Sequence, residues 1–204
     1  MMKEQISPAI DRLFRTYFQY CTAFNEDSLF QLLTALHSLD DRLKPNHGRP
    51  MFKIQEYIAL KALRNHFHHA GEIQNVVKLK SLQGMGVATD LLQVCLISFN
   101  DTIAAIEGTE KKFKVQAADA IAATFKDWGA VVDINPCVLN CVAKVFELLQ
   151  VLKIQGTSDE YSNFVRQYEW ESANGHSHYV TGQVMLRPGE VSTYAALMAS
   201  LYNE

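Results

Sequence analysis

The chain has 204 residues, 48% of them hydrophobic, with 19 Lys and Arg against 22 Asp and Glu for a formal charge of −3. At this length folding buries roughly 70% of the surface an unfolded chain exposes, which excludes dependence on disulfides or a structural metal for a core. The N-terminus "MMKEQISPAIDRLF" lacks a basic start followed by an apolar run, and no stretch approaches the roughly 18 apolar residues of a membrane span, so the expectation is a soluble cytoplasmic protein.

Taken in order, the apolar period is helical almost throughout. Ser7 followed by Pro8 predicts a helix start, a capping side chain and then a proline at the first helical position, with Ile10, Leu13, Phe14, Tyr17, Phe18, Cys21 and Phe24 as its apolar stripe. A second helix should begin near Asn25 or Asp27, carry Leu29, Leu32, Leu33, Leu36, Leu39 and Leu43, and break at "KPNHGRP". The third runs from about Met51, with Phe52, Ile54, Tyr57, Ile58 and Leu63 toward the core, and stops at Gly71. "GEIQNVVKLKSLQGMG" has no clear period and reads as a short helix or a loop. Its Gly84 and Gly86 read as a linker, since no strand precedes them and the third glycine of a dinucleotide loop is missing.

Further helices are expected over 89–107, 110–128 and 136–155, the last with Asn135 as its cap, and the Ala-rich "AADAIAATF" suggests close helix approach. Helices over 158–172 and 191–202 flank "NGHSHYVTGQVMLRPGE", the one region with turn and strand chemistry, where His176 and His178 read as exposed loop histidines and Trp170 as a partly buried helix anchor. The four cysteines, Cys21, Cys95, Cys137 and Cys141, have neither zinc-knuckle nor redox spacing and read as reduced thiols in packed helices. The expected architecture is all-α, an antiparallel helical bundle over residues 1–130. Extra C-terminal helices over 131–204 pack on the same core, with room for one short hairpin.

Charge is unevenly spread. Arg42, Lys44, Arg49, Lys53, Lys61, Arg64, Lys78 and Lys80 fall in one window against only Glu56 and Glu72, leaving eleven basic and twenty acidic residues elsewhere. A basic segment in an acidic chain favours a phosphate-bearing partner, with dispersed surface lysines as the plainer explanation.

Within that window "ALRNHFHHAG" places Arg64, Asn65 and three histidines near the end of the third helix. The stretch resembles the RNxxxH motif of HEPN domains, helical-bundle proteins found among toxins, abortive-infection proteins and RNA-guided ribonucleases. The resemblance covers about the first 130 residues and says nothing of the C-terminal third. It implies Arg64, Asn65 and His69 as catalytic residues, RNA as substrate, a homodimer in which two motifs share a cleft, no cofactor and no metal. It also implies a separate antitoxin or regulatory protein, because no nucleotidyltransferase signature is fused here. Lys53, Lys61 and His66 are the accompanying candidates for RNA contact. A HEPN branch with a tyrosine two residues after the motif histidine is not matched, since Gly71 stands there.

The chemistry suits the residues. RNA cleavage without metal needs a group that takes the 2′-OH proton, a donor for the leaving 5′-oxygen and a fixed positive charge. Histidine titrates near neutral pH, and arginine presents a permanently charged fork to phosphate. The product would be a 2′,3′-cyclic phosphate and a 5′-hydroxyl. Five residues turn an ideal helix by about 140°, so His68, four residues from Arg64, is the geometric alternative to His69 unless the helix loosens or the groups meet across a dimer axis. Two other readings compete. Polar groups in a last helical turn before a glycine are ordinary C-terminal capping. Pairs such as His66 with His69, His68 with Glu72, or His176 with His178 have ligand-like spacing but no shared third ligand. The functional alternative is a non-catalytic dimeric HEPN-like interaction or nucleotide-binding module.

Overall fold

The computed structural model describes residues 6–23, 26–70, 75–81, 91–181 and 191–203. Helix α1 (Ser7–Ala23) and α2 (Glu26–His47) pack along one another, burying Ile10, Leu13 and Phe14 against the leucine stripe Leu29, Leu32, Leu33, Leu36, Leu39 and Leu43. Ser7 does not cap α1. Its Oγ is buried without a hydrogen bond among the described residues, and the Ile6 carbonyl accepts from the Ala9 and Ile10 amides instead. Nor does "KPNHGRP" break α2 at once: the helix runs through Pro45 to His47, and Gly48, at φ 69°, supplies the left-handed residue that ends it. A short 3-10 turn, Pro50–Lys53, leads into α3 (Gln55–Ala70). The expected stop at Gly71 lies outside the described residues.

Beyond α3 the structure departs from an all-α bundle. The molecule is mostly helical, but β1 (Asn75–Ser81), β2 (Leu91–Ser98), β3 (Lys126–Asp127) and β4 (Val131–Asp133) form an antiparallel sheet in the order β1-β2-β4-β3. Register pairs Val77 with Cys95, and Ile97 with Val132. The helix expected over 89–107 is therefore β2 followed by α4 (Phe99–Glu107), and the stretch read as short helix or loop contains β1. The error at 89–107 has a plain cause: β2 is buried on both faces. Cys95 and Ile97 face the main core, while Val94 and Leu96 pack with Val131, Met198 and Leu201 under α8 (Val191–Asn203). A strand covered on both sides shows a continuous apolar run with no period of two, which sequence does not distinguish from a buried helix.

The chain is reversed into α4 by Ser98, whose Oγ accepts from the Asp101 amide at 3.0 Å. Helix α5 (Lys114–Thr124), shorter than the expected 110–128, lays Ala117 and Ala120 against the α3 residues Ala59 and Ala62. At the start of helix α6 (Asn135–Leu152) Ile134, not Asn135, occupies the N-cap position, with no side-chain cap. The Asn135 side chain instead accepts from the Tyr20 hydroxyl at 2.8 Å and donates to the Gln93 carbonyl at 3.1 Å, tying α1, α6 and β2 together. Among the described helices α6 is long and apolar enough to cross a membrane, and its apolarity answers to packing, since Val138, Cys141, Val142, Val145, Phe146 and Leu149 are buried in the core. Helix α7 (Asp159–Ala173) starts at the Ser158 cap and closes onto α1 through Phe14, Phe146, Tyr161 and Phe164. All four cysteines are free thiols, three of them buried; Cys95 lies in a strand rather than a helix. The segment expected to hold a hairpin has no strand over residues 174–181; residues 182–190 lie outside the described ones.

Candidate functional site

Helix α3 stays regular through Ala70, so the motif spreads around its circumference. Ile58, Lys61, Ala62 and Asn65, at spacings of three and four, line a cavity of about 580 Å³ closed by Arg49 and Phe52 on one side and Lys112, Phe113 and Gln116 on the other. Arg64 turns instead toward α2. There it joins Thr34, His37, Ser38, Asp41 and Arg42 around a second cavity of about 380 Å³. The α2 residues Thr34, His37, Ser38 and Asp41 form a polar stripe at helical spacing beside the leucine stripe, and that stripe is what the Arg64 guanidinium meets.

Two electrostatic features mark this seam. The Nε of Arg64 is buried with no hydrogen-bond partner among the described residues, on a side chain that is itself only half-buried, so one donor of the guanidinium is left for an acceptor to satisfy. Arg42, Arg49, Lys61 and Arg64, half of the cations in the basic window, all line the two cavities. Lys61 also stands over the rings of Phe52 and Tyr57 at 5.5 and 5.8 Å; burial holds its pKa below the usual lysine value, with Arg49 and Arg64 adding to that shift against the opposing Asp40 and Asp41.

The remaining motif residues lie elsewhere. His66 faces α4, its Nε2 4.0 Å from Asp101 Oδ1. His68 and His69 are exposed, ring centroids 5.3 Å apart, and neither makes a hydrogen bond with Arg64 among the described residues. Lys53 is exposed on the 3-10 turn. The structure therefore gathers Lys61, Arg64 and Asn65 about one seam and leaves Lys53, His66, His68 and His69 outside its lining. No family model, curated protein or solved structure matches the chain. The site therefore has to be argued from its own geometry.

His37 is the residue that the sequence reading passed over. It lines both cavities, and its Nδ1 lies 3.3 Å from Asp41 Oδ2. The sequence signal was a histidine with an aspartate four positions on, inside "TALHSLDDR", but nothing local connects that helix to Arg64, 27 residues later.

Of the two C-terminal histidines, His176 is exposed in a loop as expected and His178 differs. His178 is not an exposed loop residue: its ring stacks on Tyr168 at 3.5 Å, its Nδ1 meets Glu171 Oε2 at 2.8 Å, and its Nε2 meets Ser172 Oγ at 3.0 Å. Burial pushes Glu171 up, but hydrogen bonds from His178 and Gln167 outweigh it and hold the carboxyl below its usual range. The Ser172 hydroxyl donates to the Tyr168 carbonyl at 3.0 Å, which commits its proton to the helix and makes the relay a tie between α7 and the following segment rather than an activated nucleophile. His176 stacks on Trp170, which is 54% exposed and so not the partly buried anchor expected of it. Among the described residues no group of three His, Cys, Asp or Glu side chains is placed to hold a metal ion.

Proposed function

We infer that the chain is a metal-independent endoribonuclease of HEPN type, with Arg64 holding the scissile phosphate. The observation that carries this reading is the buried, unpartnered Arg64 Nε in a cavity it shares with a histidine and Arg42. A permanently charged fork with a donor to spare suits a phosphate oxygen. Asn65, one residue on and lining the adjoining cavity, is placed to orient a substrate group by its amide. In this reading the exposed His69, with His68 as alternative, transfers a proton from the end of α3 across the axis of a homodimer, because a regular helix separates it from Arg64 within one chain.

The second reading, a non-catalytic dimeric nucleotide-binding module, is favoured by the apolar side chains near the end of α3: Phe30, packed edge-on against Phe67, together with Phe99 and Ile103 of the neighbouring α4, is substantially exposed.

Incubation of the purified protein with mixed RNA in excess EDTA separates the two. Cleavage that leaves cyclic phosphates and falls at least about 100-fold in Arg64→Ala supports the nuclease. Intact RNA at every protein concentration, with Arg64→Ala folded, leaves the binding module.

A further inference from the structure

The seam between α2 and α3 contains a histidine that the motif does not, and its surroundings are those of a proton-transfer group. His37 separates the Arg64 cavity from the larger one. Charged groups face it from each element packed there: Asp40, Asp41 and Arg42 on α2, Arg49 ahead of the 3-10 turn, Lys61 and Arg64 on α3, and Glu110 and Lys112 ahead of α5. The Asp41 carboxylate beside Nδ1 favours a proton on that nitrogen and leaves the lone pair on Nε2. Burial, then Lys61 and Arg64, hold the ring's pKa below its usual value and outweigh the opposing pull of Asp41 and Asp40. Both influences favour the neutral ring, the form able to accept a proton.

The larger cavity has the chemistry of a nucleobase site. Phe52 and Phe113 line it, their centroids 6.4 Å apart and their planes tilted, and Asn65 and Gln116 bring amides that can pair with a base edge. Cations stand over both rings, Lys61 Nζ 5.5 Å from Phe52 and Lys112 Nζ 4.8 Å from Phe113. Because His37 lines both cavities, a ribonucleotide with its base on this side and its 3′-phosphate at Arg64 would bring its ribose to His37.

We propose that His37 is the general base of the RNA-cleavage site, with Asp41 as its positioning residue and the Phe52–Phe113 cavity as the seat of the base 5′ to the scissile bond; this rests on the nuclease reading above. In the step, His37 Nε2 takes the proton of the 2′-OH while O2′ forms a bond to phosphorus and the bond from phosphorus to O5′ breaks. The leaving O5′ takes a proton from the motif histidine, and Arg64 offsets the charge that gathers on the phosphoryl oxygens. His37 then loses its proton to solvent and the motif histidine regains one, so atoms and charge balance with no oxidant or further reactant. The base is thereby supplied within one chain, and the dimer is required only for the acid.

The test compares wild type with His37→Gln and Asp41→Asn in EDTA, on cleavable RNA and on uncleavable 2′-O-methyl RNA of the same sequence. The expected result is a fall of about 10²–10⁴-fold in cleavage by His37→Gln, with binding of the uncleavable RNA within about twofold and partial rescue by added imidazole. Asp41→Asn, an exposed substitution that leaves the core untouched, should move the acid limb of the pH profile to lower pH, because it removes a group that raises the His37 pKa. Wild-type cleavage retained by His37→Gln but lost in Arg64→Ala would overturn the role of His37 and leave the nuclease reading standing. Equal loss of binding and cleavage in His37→Gln would make it a binding residue and overturn the proposal. Failure of the wild type to cleave any RNA would sink both readings together.

Discussion

Two seams of the molecule are built from the same material and finished differently. Where α7 closes on α1 and α6, five aromatic rings, Phe14, Phe146, Tyr161, Phe164 and Tyr168, pack mostly edge-on or tilted at centroid distances of 4.9 to 6.3 Å. Their polar tips are engaged: the Tyr161 hydroxyl accepts from Gln150 at 3.1 Å and the Tyr168 hydroxyl donates to Glu147 at 2.8 Å. Asp11 of α1 accepts from the Thr157 amide, the Thr157 hydroxyl and the Ser158 amide, pinning the start of α7. Gly156 is required at that close approach, because a Cβ there would lie 2.5 Å from Asp11 Oδ1 and 2.9 Å from Tyr161 Cγ. Where α3 meets α2, by contrast, cations crowd together, a histidine has its pKa lowered by burial and by Lys61, and Arg64 Nε has no hydrogen-bond partner among the described residues. The first seam serves stability. The second gathers cations and a histidine around a donor that is free to meet an acceptor, the kind of arrangement found at working sites.

The comparison breaks most visibly at Phe146, 3% exposed and in contact with four other rings. Phe146→Ala should cost about 3–5 kcal/mol in chemical denaturation, and a loss under about 1 kcal/mol would mean that the aromatic seam does not hold the C-terminal third in place.

A middle-sized effect comes from Asp133, at the junction of β4 and α6. Its Oδ1 accepts from the Cys95 and Asn135 amides, each at 2.9 Å, yet burial outweighs those bonds and the carboxyl is pushed up to about 6. A carboxyl whose folded pKa lies above its unfolded value favours folding most when protonated. Its contribution is complete below about pH 4 and lost as pH rises through about 6. Asp133→Asn keeps an oxygen for both amides and should raise stability by at most about 3 kcal/mol at pH 8 while changing little at pH 4. A pH-independent change would show that the hydrogen bonds, not the ionised charge, dominate there.

The smallest stability effect belongs to the other seam. Arg64→Met removes the unsatisfied donor and keeps the length of the side chain, so denaturation should shift by less than about 1 kcal/mol in either direction. A loss above about 2 kcal/mol would make Arg64 a structural residue and erase the contrast between the seams.

How much of this was legible in the sequence depends on how far apart the interacting residues lie. The leucine stripe of α2, the alanines of α5, the span of α7 and the final helix were readable because their signals lie within a few residues of one another. The sheet was not, since β2 pairs with β4 across more than 30 residues and is apolar on both faces. Asn135 showed the same limit: its capping chemistry was visible, but its distant partners, Tyr20 and Gln93, took the side chain for another purpose.

The site divides along the same line. Composition and period were enough to establish a mostly helical chain with its own core, a basic window and an arginine, an asparagine and three histidines on one helix. Which histidine stands beside Arg64 depended on the packing of α2 against α3 and on the regularity of α3 through Ala70, which turns His69 away and brings His37 in. Helical period fixes directions within a helix, and only the contact between helices converts direction into proximity.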